Sequence, residues 1–504
     1  MVSQVIADID ERRRDWGEQL DPARRAAMGQ YFTPADVADF MAQQLQVSTD
    51  RPVRLLDPGA GVGSLTAAVV ARWSAEGGGP VTATAVEADP VLQAPPARTL
   101  DELSRMHAFN STVVAADFVE WGADRVSGFG VLDASKFDVV VMNPPYRKIH
   151  TASAERRRMS AAGIEVPNLY AGFAALAAGL LDEGGQLVAI TPRSFTNGPY
   201  FRRFRKLLLE TVGLRRVHVF DARDLAFADN EVLQENVIFS GTRGHRPTTL
   251  VVSSSRSVSH VVRARTVPYE EVVRPDDPEA FLHITTDEQA AEHARRVGAL
   301  PCRLRDLEVE VSTGPVVDFR AKEHLRSDPE PGAVPLVYPN HLRDGRVSWP
   351  QVGGRKPNGL VHTQETARLL MPAGTYVLVK RFSAKEERRR IVAVVVTPAD
   401  LPGDAWAFEN HLNVFHRRGE GLPDGLARGL AAFLNTTTID QFFRQFNGHT
   451  QVNATDLRSL RYASEAELVE LGSAVTAVMA QADLDAIASE LVSAFAPPIE
   501  ARTA

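Results

Sequence analysis

The chain has 504 residues, of which 44% are hydrophobic and 24% are charged, a composition typical of a globular protein with two or three domains. Its formal net charge of −7 argues against a protein that coats nucleic acid over its whole surface. The single cysteine, Cys302, excludes an internal disulfide and a thiolate zinc site. The charged start, and the lack of an apolar run of about eighteen residues, predict no signal peptide, no membrane partner and a cytoplasmic location.

The first stretch, residues 1–27, is predicted to be a charged, helical lead-in. It is followed by G-Q-Y-F-T-P at 29–34 and then by a helix with apolar periodicity. Thr33 is a candidate N-cap, with Pro34 at the first helical position. The plain interpretation is a capped helix; the functional interpretation is that Tyr31 and Phe32 close over a cofactor.

A glycine loop follows the first predicted strand. The apolar strand over 53–56 runs into D-P-G-A-G-V-G, which contains Asp57, Gly59 and Gly61, and a helix is predicted over 64–73. Glycines in this position let the backbone approach a ligand closely at the N-terminus of a helix. Such loops serve NAD, FAD and S-adenosylmethionine alike, so the loop alone leaves the cofactor open.

Acidic residues end the next two predicted strands. The strand over 81–86 is followed by Glu87, where a carboxylate can bind a ribose diol. The strand over 112–116 is followed by Asp117, which can accept from an exocyclic amine, and by Phe118, which can stack on a ring. Because the carboxyl ends of parallel strands meet at one edge of a sheet, one nucleoside could reach these groups together.

The most informative stretch is K-F-D-V-V-V-M-N-P-P-Y-R at 136–147. Its apolar run predicts a strand buried on both faces of a parallel sheet. The strand must end at Pro144 and Pro145, because proline cannot donate to a ladder. Asn143 and Tyr146 are thereby placed where open α/β sheets bind ligands, and they suit a planar, nitrogen-bearing substrate. On its own, such a stretch would indicate only a turn.

The order of these motifs resembles that of amino-group DNA methyltransferases with a C-terminal target-recognition region. Along the chain the motifs are F-T-P, D-P-G-A-G-V-G, Glu87, D-F and N-P-P-Y. The resemblance implies a Rossmann-like α/β methyltransferase sheet followed by a mixed α+β DNA-recognition domain. It implies that S-adenosylmethionine is the cofactor. The residues implied for its site are Tyr31, Phe32, Thr33, Asp57, Gly59, Gly61, Glu87, Asp117, Phe118 and Asn143.

The same resemblance implies the catalytic roles. N-P-P-Y in that family marks adenine-N6 methylation, whereas S-P-P-Y more often marks cytosine-N4 methylation. Asn143 and the carbonyl of Pro144 would accept hydrogen bonds from the amino group of a flipped adenine, and Tyr146 would stack on its ring. Phe239, on a predicted strand over 233–241, would stack on the other face, although an ordinary core phenylalanine is its plainer interpretation. No metal is implied, because catalysis would consist of positioning and electrostatics.

The rest of the chain is predicted to complete the first domain and to form a second. A helix over 168–181 is expected to end at Gly184 and Gly185 before a strand over 186–190. The basic cluster at 202–206 is either a solvated helix face or a phosphate contact. We expect a catalytic domain over 1–285 and a recognition domain over 286–504, the latter with short strands at 334–338, 376–380 and 391–396.

Three phrases in the second half resemble restriction–modification methyltransferases of the PstI and BsuBI type: K-R-F-S-A-K-E-E-R-R-R, E-N-H-L-N-V-F and F-R-Q-F-N-G-H-T-Q-V-N-A-T-D-L-R. This resemblance implies a C-T-G-C-A-G target methylated on its adenine and a companion restriction endonuclease. The predicted phosphate contacts are Arg388, Arg389 and Arg390, and the predicted base-reading loop contains His449, Thr450, Gln451 and Asn453. A helix cap is the plainer interpretation of that loop.

We therefore expect a site-specific, adenine-N6 DNA methyltransferase that acts on double-stranded DNA as the modification half of a restriction–modification system. N-P-P-Y also serves RNA guanine and protein glutamine as acceptors, but the long, basic and aromatic second domain favours duplex DNA. A catalytically dead specificity subunit is disfavoured, because the glycine loop and N-P-P-Y are both intact. A fused nuclease is also disfavoured, because no acidic-lysine nuclease constellation is evident.

Overall fold

The computed structural model describes residues 2–19, 21, 29, 31–49, 51–105, 108–128, 136–150, 152–220, 235–258, 260–383, 387–446, 451–476 and 479–495. The chain divides into two compact units, Met1–Thr286 and Asp287–Ala504. This division falls one residue after the expected domain boundary. Among the described helices, none has both the length and the apolar character needed to cross a membrane.

The first unit alternates strands and helices along most of its length. Its elements, in chain order, are α1 (Val2–Gln19), α2 (Ala35–Ala42), β1 (Val53–Pro58), α3 (Ser64–Ala75), β2 (Val81–Glu87), α4 (Ala94–Ser104), β3 (Phe109–Ala115), α5 (Phe118–Ser127), β4 (Phe137–Met142), α6 (Ala154–Ala161), α7 (Leu169–Leu180), β5 (Leu181–Pro192), α8 (Arg202–Thr211), β6 (Val212–Phe220), β7 (Asn236–Arg243), β8 (Thr249–Ser255), β9 (Arg263–Pro268) and α9 (Tyr269–Val272).

The described strands of this unit form one mixed sheet in the order β3-β2-β1-β4-β5-β7-β6-β8-β9. Strands β1 to β5 are parallel, whereas β7 runs antiparallel to both β5 and β6. All six residues of β4 are buried, because α5, α7 and α8 cover one face of the sheet and α2, α3 and α4 cover the other. Burial on both faces explains the continuous apolar run of β4. The predicted α/β class is confirmed.

The start of α2 differs from the prediction. The helix begins at Ala35, Pro34 is its N-cap, and Thr33 does not cap it. A carboxylate oxygen of Asp10, on α1, instead accepts from the N–H of Ala35 at 3.1 Å. Burial favours the protonated form of Asp10, but hydrogen bonds from Arg13 and Ala35 outweigh it and hold the pKa of Asp10 below its ordinary value. Thr33 is left available for another partner.

The glycines at 184 and 185 do not end α7 as predicted. The helix passes directly into β5, and both glycines lie inside that strand. Phe137 of β4 pairs with Leu181 of β5, and Val139 pairs with Gln186. The pairing of β5 with β4 therefore changes register across the segment that contains the two glycines. The glycines therefore lie at a bulge, where an extra segment leaves the ladder.

The second unit contains short strands followed by helices. Its elements, in chain order, are α10 (Glu288–Gly298), β10 (Glu310–Thr313), β11 (Leu325–Arg326), β12 (Ala333–Val337), β13 (Leu342–Arg343), β14 (Arg346–Val347), β15 (Gly359–Val361), β16 (Leu370–Pro372), β17 (Tyr376–Lys380), β18 (Ala393–Val396), β19 (Ala405–Phe408), β20 (Leu412–His416), α11 (Asp424–Leu434), α12 (Thr437–Phe446), α13 (Ala454–Ser459), α14 (Glu465–Ala474) and α15 (Gln481–Leu491).

Two sheets organise the second unit. One has the strand order β10-β20-β17-β18, and the other has the order β11-β15-β12-β19-β16. The C-terminal helices pack on the first of these sheets around buried rings such as Phe415, Phe433 and Tyr462. The result is a mixed α+β unit. It opens with α10, close to the predicted start at residue 286.

Candidate active site

A cavity of about 260 Å³ opens at the carboxyl edge of the first unit's sheet. Eight of the ten residues predicted to bind the cofactor line it: Tyr31, Phe32, Gly59, Gly61, Glu87, Asp117, Phe118 and Asn143. They come from the segment before α2 and from the ends of β1, β2 and β4, together with the first residues of α5. The parallel sheet thus brings together groups that are separated by more than 100 residues in the sequence.

The glycine loop after β1 supports one wall of the cavity. Gly61 has φ of +55°, and a Cβ there would lie 3.1 Å from the ring of Phe32, so a side chain would be strained and crowded. The N–H of Gly61 donates to Oε2 of Glu87 at 2.9 Å. Oε1 of Glu87 accepts from the N–H of Asp89 at 2.9 Å. Glu87 therefore shapes the loop as well as lining the cavity, and burial raises its pKa.

Asp57 lies beneath the loop and does not line the cavity. It is fully buried, and Oδ2 accepts from the hydroxyl of Thr66 at 2.7 Å and from the N–H of Thr66 at 3.3 Å. Burial, with a smaller contribution from Glu87, raises the pKa of Asp57 to about 7. The structure thus supports Asp57 as the link between the loop and α3 rather than as a direct contact to the cofactor.

Asp117 and Phe118 form the adjoining wall. Oδ1 of Asp117 caps α5 by accepting from the N–H groups of Val119 and Glu120 at 2.7 and 3.3 Å. Oδ2 of Asp117 has no partner among the described residues, so it is available to a ligand. The ring of Phe118 is buried 4.8 Å from that of Phe173, which also lines the cavity.

Phe173 and Leu92 line the cavity, although the sequence did not indicate either residue. Phe173 lies on α7, where almost every residue is buried, so apolar patterning could not separate a cavity residue from core residues. Leu92 lies in a short 3-10 turn after β2 and packs with Phe32. Neither position carries a local sequence signal for ligand contact.

The amide of Asn143 is held in one orientation. Its Nδ2 donates to the carbonyl of Tyr31 at 2.8 Å and to Oγ1 of Thr33 at 3.0 Å. Both amide hydrogens are thereby used, and Oδ1 has no hydrogen-bond partner among the described residues. Because Asn143 lines the cavity, Oδ1 is the acceptor that this side chain offers to a bound molecule.

Tyr146 lies between two other tyrosines next to the cavity. Its ring centroid is 5.9 Å from that of Tyr31 and 6.3 Å from that of Tyr170, and its hydroxyl donates to the carbonyl of Ile190 at 3.4 Å. The N–H of Tyr146 donates to the carbonyl of Gly29. If residue 29 carried a side chain, its Cβ would lie only 2.9 Å from the backbone nitrogen of Tyr146, so this close approach favours glycine. Pro144, between Asn143 and these contacts, is buried.

Phe239 is not part of this edge. It lies on β7 with 1% of its surface exposed, and its ring packs 5.5 Å from that of Phe195 in the core. The ring cannot stack on a ligand without leaving the core. Phe239 is therefore interpreted as a core residue, which was the plainer of the two predictions.

The predicted DNA contacts of the second unit have different surroundings. Arg388 is exposed, as a phosphate contact requires. Arg389 contacts the carbonyl of Asn435, and Arg390 is fully buried with its N–H bonded to Asp440, so these two arginines stabilise the fold. Burial lowers the pKa of Arg390.

The predicted reading loop is described only in part. His449 and Thr450 lie outside the described residues. Gln451 pairs with Phe382 in an isolated bridge. Asn453 is the N-cap of α13, and its N–H donates to Asp456 at 2.9 Å. The capping interpretation therefore applies to Asn453.

Comparisons with known proteins point to one family. A model of the Eco57I restriction-modification methylase family matches residues 96–227. Over 475 residues the chain is 41% identical to the type II methyltransferase M.BsuBI of Bacillus subtilis, covering 94% of each chain. It is 40% identical to the type II methyltransferase M.PstI of Providencia stuartii, covering 93% of each chain. Among solved structures it is similar to the DrdV–DNA complex, with 12% identity, a TM-score of 0.49, and coverage of 90% of this chain and 58% of that one.

Proposed function

Because this chain belongs to the type II restriction–modification DNA methyltransferases, with S-adenosylmethionine as methyl donor, we propose that it methylates the N6 amino group of an adenine flipped out of duplex DNA. The orientation of Asn143 is the observation that carries this proposal. An exocyclic amino group needs acceptors, and Oδ1 of Asn143 is an acceptor that its neighbours hold in place.

The cavity has the chemistry that the cofactor requires. Gly59 and Gly61 let the cofactor approach the backbone closely. Glu87 offers a carboxylate to the ribose hydroxyls of the cofactor, and Asp117 offers a carboxylate to the amino group of the cofactor's own adenine. The buried ring of Phe118 provides an apolar surface beside them. We propose that these five residues hold the cofactor. When bound, S-adenosylmethionine supplies an electrophilic methyl group on its sulfonium.

The catalytic residues act on the acceptor amine. An adenine amine is a poor nucleophile, because its lone pair is delocalised into the ring. Oδ1 of Asn143 and the carbonyl oxygen of Pro144 each accept a hydrogen bond from the amino group. These two bonds draw the nitrogen towards a pyramidal geometry and stabilise the positive charge that develops on it. Tyr146 stacks on the base and offsets part of the cost of removing it from the duplex, which is a few kcal/mol.

Nucleoside analysis of DNA methylated by the purified protein tests the proposed base. We expect N6-methyladenine from the wild-type protein, and no product from Asn143→Ala or Tyr146→Ala although both variants bind the cofactor. Parallel reactions with RNA and with protein should incorporate no tritiated methyl groups. N4-methylcytosine as the product, or near-normal turnover by Asn143→Ala, would refute the assignment.

The same family membership supports two further parts of the proposal. We propose that the second unit, Asp287–Ala504, carries target recognition, and that a companion endonuclease cuts the same site when it is unmethylated. DNA methylated by this protein should then resist a restriction activity in extracts of the source cell. Unmodified DNA of the same sequence is the control, and equal cutting of both DNAs would contradict the pairing.

A further inference from the structure

Three segments that are far apart in the sequence lie side by side in the second unit. The N–H of Arg381 donates to the carbonyl of His411 at 2.9 Å, and the N–H of Val452 donates to the carbonyl of Arg381 at 2.7 Å. Phe382 also pairs with Gln451 in an antiparallel bridge. These contacts form one surface, which we call the composite surface, made of Arg381, Phe382, His411 and Gln451.

Each segment comes from a different one of the three C-terminal sequence stretches that resemble the PstI and BsuBI type. None of the described residues of these stretches lines the cavity of the first unit. Arg381 directly follows the last residue of β17, and His411 directly precedes the first residue of β20. The composite surface therefore continues one end of the sheet β10-β20-β17-β18, and its side chains stand on a hydrogen-bonded backbone. Such a support fixes side chains well enough to distinguish one ligand from another.

His411 is held from below by a buried carboxylate. Glu409 has no exposed surface, whereas 41% of the His411 side chain is exposed. Oε2 of Glu409 accepts from the backbone N–H of His411 at 2.9 Å, and Oε1 lies 2.6 Å from Nδ1 of the ring. Two bare lone pairs at this distance would repel each other, so a proton on one of the two groups lies between Oε1 and Nδ1. The second ring nitrogen, Nε2, is then the one that a ligand can meet.

Glu409 also has an acidic neighbour, Asp318, and burial together with this neighbour raises the pKa of Glu409. The carboxyl of Asp318 interacts with that of Glu409 and pairs with Nζ of Lys356 at 2.8 Å. A buried carboxylate costs free energy unless hydrogen bonds and opposite charge compensate it. The contacts from His411 to Glu409 supply part of that compensation, so the carboxylate restricts the ring while the ring stabilises the carboxylate.

The remaining side chains of the composite surface suit nucleobases. Phe382 is 45% exposed, and its ring lies 4.9 Å from that of His411. The guanidinium of Arg381 lies 6.0 Å from the Phe382 ring and donates to the carbonyl of Asn410 at 3.2 Å. An exposed ring, a guanidinium, an imidazole and an amide together offer apolar contact and directed hydrogen bonds. Base edges in a groove are read by this combination.

We propose that the composite surface contacts the bases of the target duplex, with His411 as a base-reading residue and Glu409 as its positioning residue. The inference rests on the proposed function, because it assumes that the chain methylates duplex DNA at a specific sequence. Because Nδ1 faces Glu409, Nε2 is the ring nitrogen that can form a hydrogen bond to a base edge in the major groove.

The test uses the full-length chain in a bacterial host that lacks its own adenine methylation. Single-molecule sequencing of the host genome gives the methylated motif and the methylated fraction at each related sequence. The variants are His411→Ala, His411→Gln, Gln451→Ala and Glu409→Gln. His362→Ala is the matched control, because His362 is an exposed histidine of the same unit outside the composite surface.

We expect the wild-type protein and His362→Ala to methylate one common motif. His411→Ala should extend methylation to sequences that differ at one base pair, with discrimination there falling about 10- to 100-fold. Glu409→Gln should relax the same base pair by a smaller factor, which a merely structural role would not do. His411→Gln provides a second measurement if the alanine variant melts earlier than the wild-type protein.

An unchanged motif for both His411 variants would overturn the proposal. An equal loss of methylation at the cognate and related sequences would also overturn it, because that pattern marks a backbone contact. Methylation of cytosine rather than adenine would refute the proposed function. The same comparison of motifs would still decide the role of His411.

Discussion

Asn143 can present either an oxygen or an N–H group to a bound base, and only the oxygen can accept from an amine. The carbonyl of Tyr31 cannot donate, so it favours the orientation in which Nδ2 faces it. Thr33 accepts the second amide hydrogen. At the scale of single residues, we therefore propose that the segment before α2 acts on catalysis by orienting Asn143.

Replacing Thr33 by valine tests this role, because valine keeps the shape of threonine and lacks the acceptor. We expect kcat to fall about 5- to 10-fold, the effect of one lost hydrogen bond of about 1 kcal/mol. The Kd for S-adenosylmethionine, measured by calorimetry, should stay within about twofold. Thr33→Ser restores the hydroxyl and should restore kcat. A Thr33→Val enzyme with normal kcat would mean that Tyr31 alone fixes the amide.

Glu87 should contribute directly to the affinity for the cofactor. Glu87→Ala removes the carboxylate from the cavity and leaves the N–H groups of Gly61 and Asp89 without their acceptor. We expect binding of S-adenosylmethionine to weaken by about 1–3 kcal/mol. Glu76→Ala, at the end of α3 and half-exposed, is the control for loss of a surface carboxylate. Unchanged affinity in calorimetry would remove Glu87 from the site.

At the scale of elements, one arginine of the basic cluster on α8 is structural, whereas Arg202, Arg203 and Lys206 are exposed. Arg205 is fully buried and donates to the carbonyls of Phe195, Gly198 and Glu279. These bonds tie α8 to the segment after β5 and to the turn before Thr286. Burial lowers the pKa of Arg205 to about 10.

Arg205→Ala should therefore destabilise the protein without weakening DNA binding selectively. Three carbonyls lose their donor, so the free energy of unfolding should fall by about 3 kcal/mol, which denaturant titration can measure. Arg203→Ala, which removes an exposed arginine paired with Glu165, should change it by less than about 0.5 kcal/mol. Equal effects of the two substitutions would contradict the structural role of Arg205.

The link between β1 and α3 should make stability depend on pH. The pKa of Asp57 is about 7 in the folded protein against 3.8 ordinarily, so between these values the native state binds more protons than the unfolded state. The contribution of Asp57 to the free energy of unfolding then falls as pH rises from about 4 to 7, by up to about 4 kcal/mol. Thermal melts of the cofactor-free protein measure this fall when they are compared with melts of a variant that lacks the carboxyl group.

Asp57→Asn is the matched variant, because the asparagine oxygen can still accept from Thr66. Glu87, whose pKa is also raised, keeps its contribution in both proteins. The difference between the two melting curves thus isolates Asp57. Parallel pH profiles for the wild-type protein and the variant would show that Asp57 does not titrate in this range.

At the scale of the whole molecule, the two units should divide the work. The groups that line the cofactor cavity all lie before Thr286, whereas the three C-terminal phrases lie in the second unit. A fragment of residues 1–286 should bind S-adenosylmethionine within about threefold of the intact chain and lose sequence-specific DNA binding. Calorimetry and competition with unrelated duplexes measure the two properties. Specific binding by the fragment would contradict the division.

Local sequence determined much of the first unit. The apolar runs predicted the strands that carry Asp57, Glu87 and Asn143, because strands buried on both faces must be apolar along their length. Pro144 and Pro145 predicted where β4 ends, since proline has no N–H to donate to a ladder. The family followed from the same motifs.

Only the tertiary structure decided what each side chain contacts. Thr33 resembled a helix cap in the sequence, but it accepts from Asn143, 110 residues away. Arg205 and Arg390 resembled surface charges, yet both are buried and bonded to backbone groups or to side chains from other segments. Burial and partner choice arise from segments distant in sequence, which no local pattern records. The composite surface has the same origin, because strand pairing alone brings Arg381, His411 and Gln451 together.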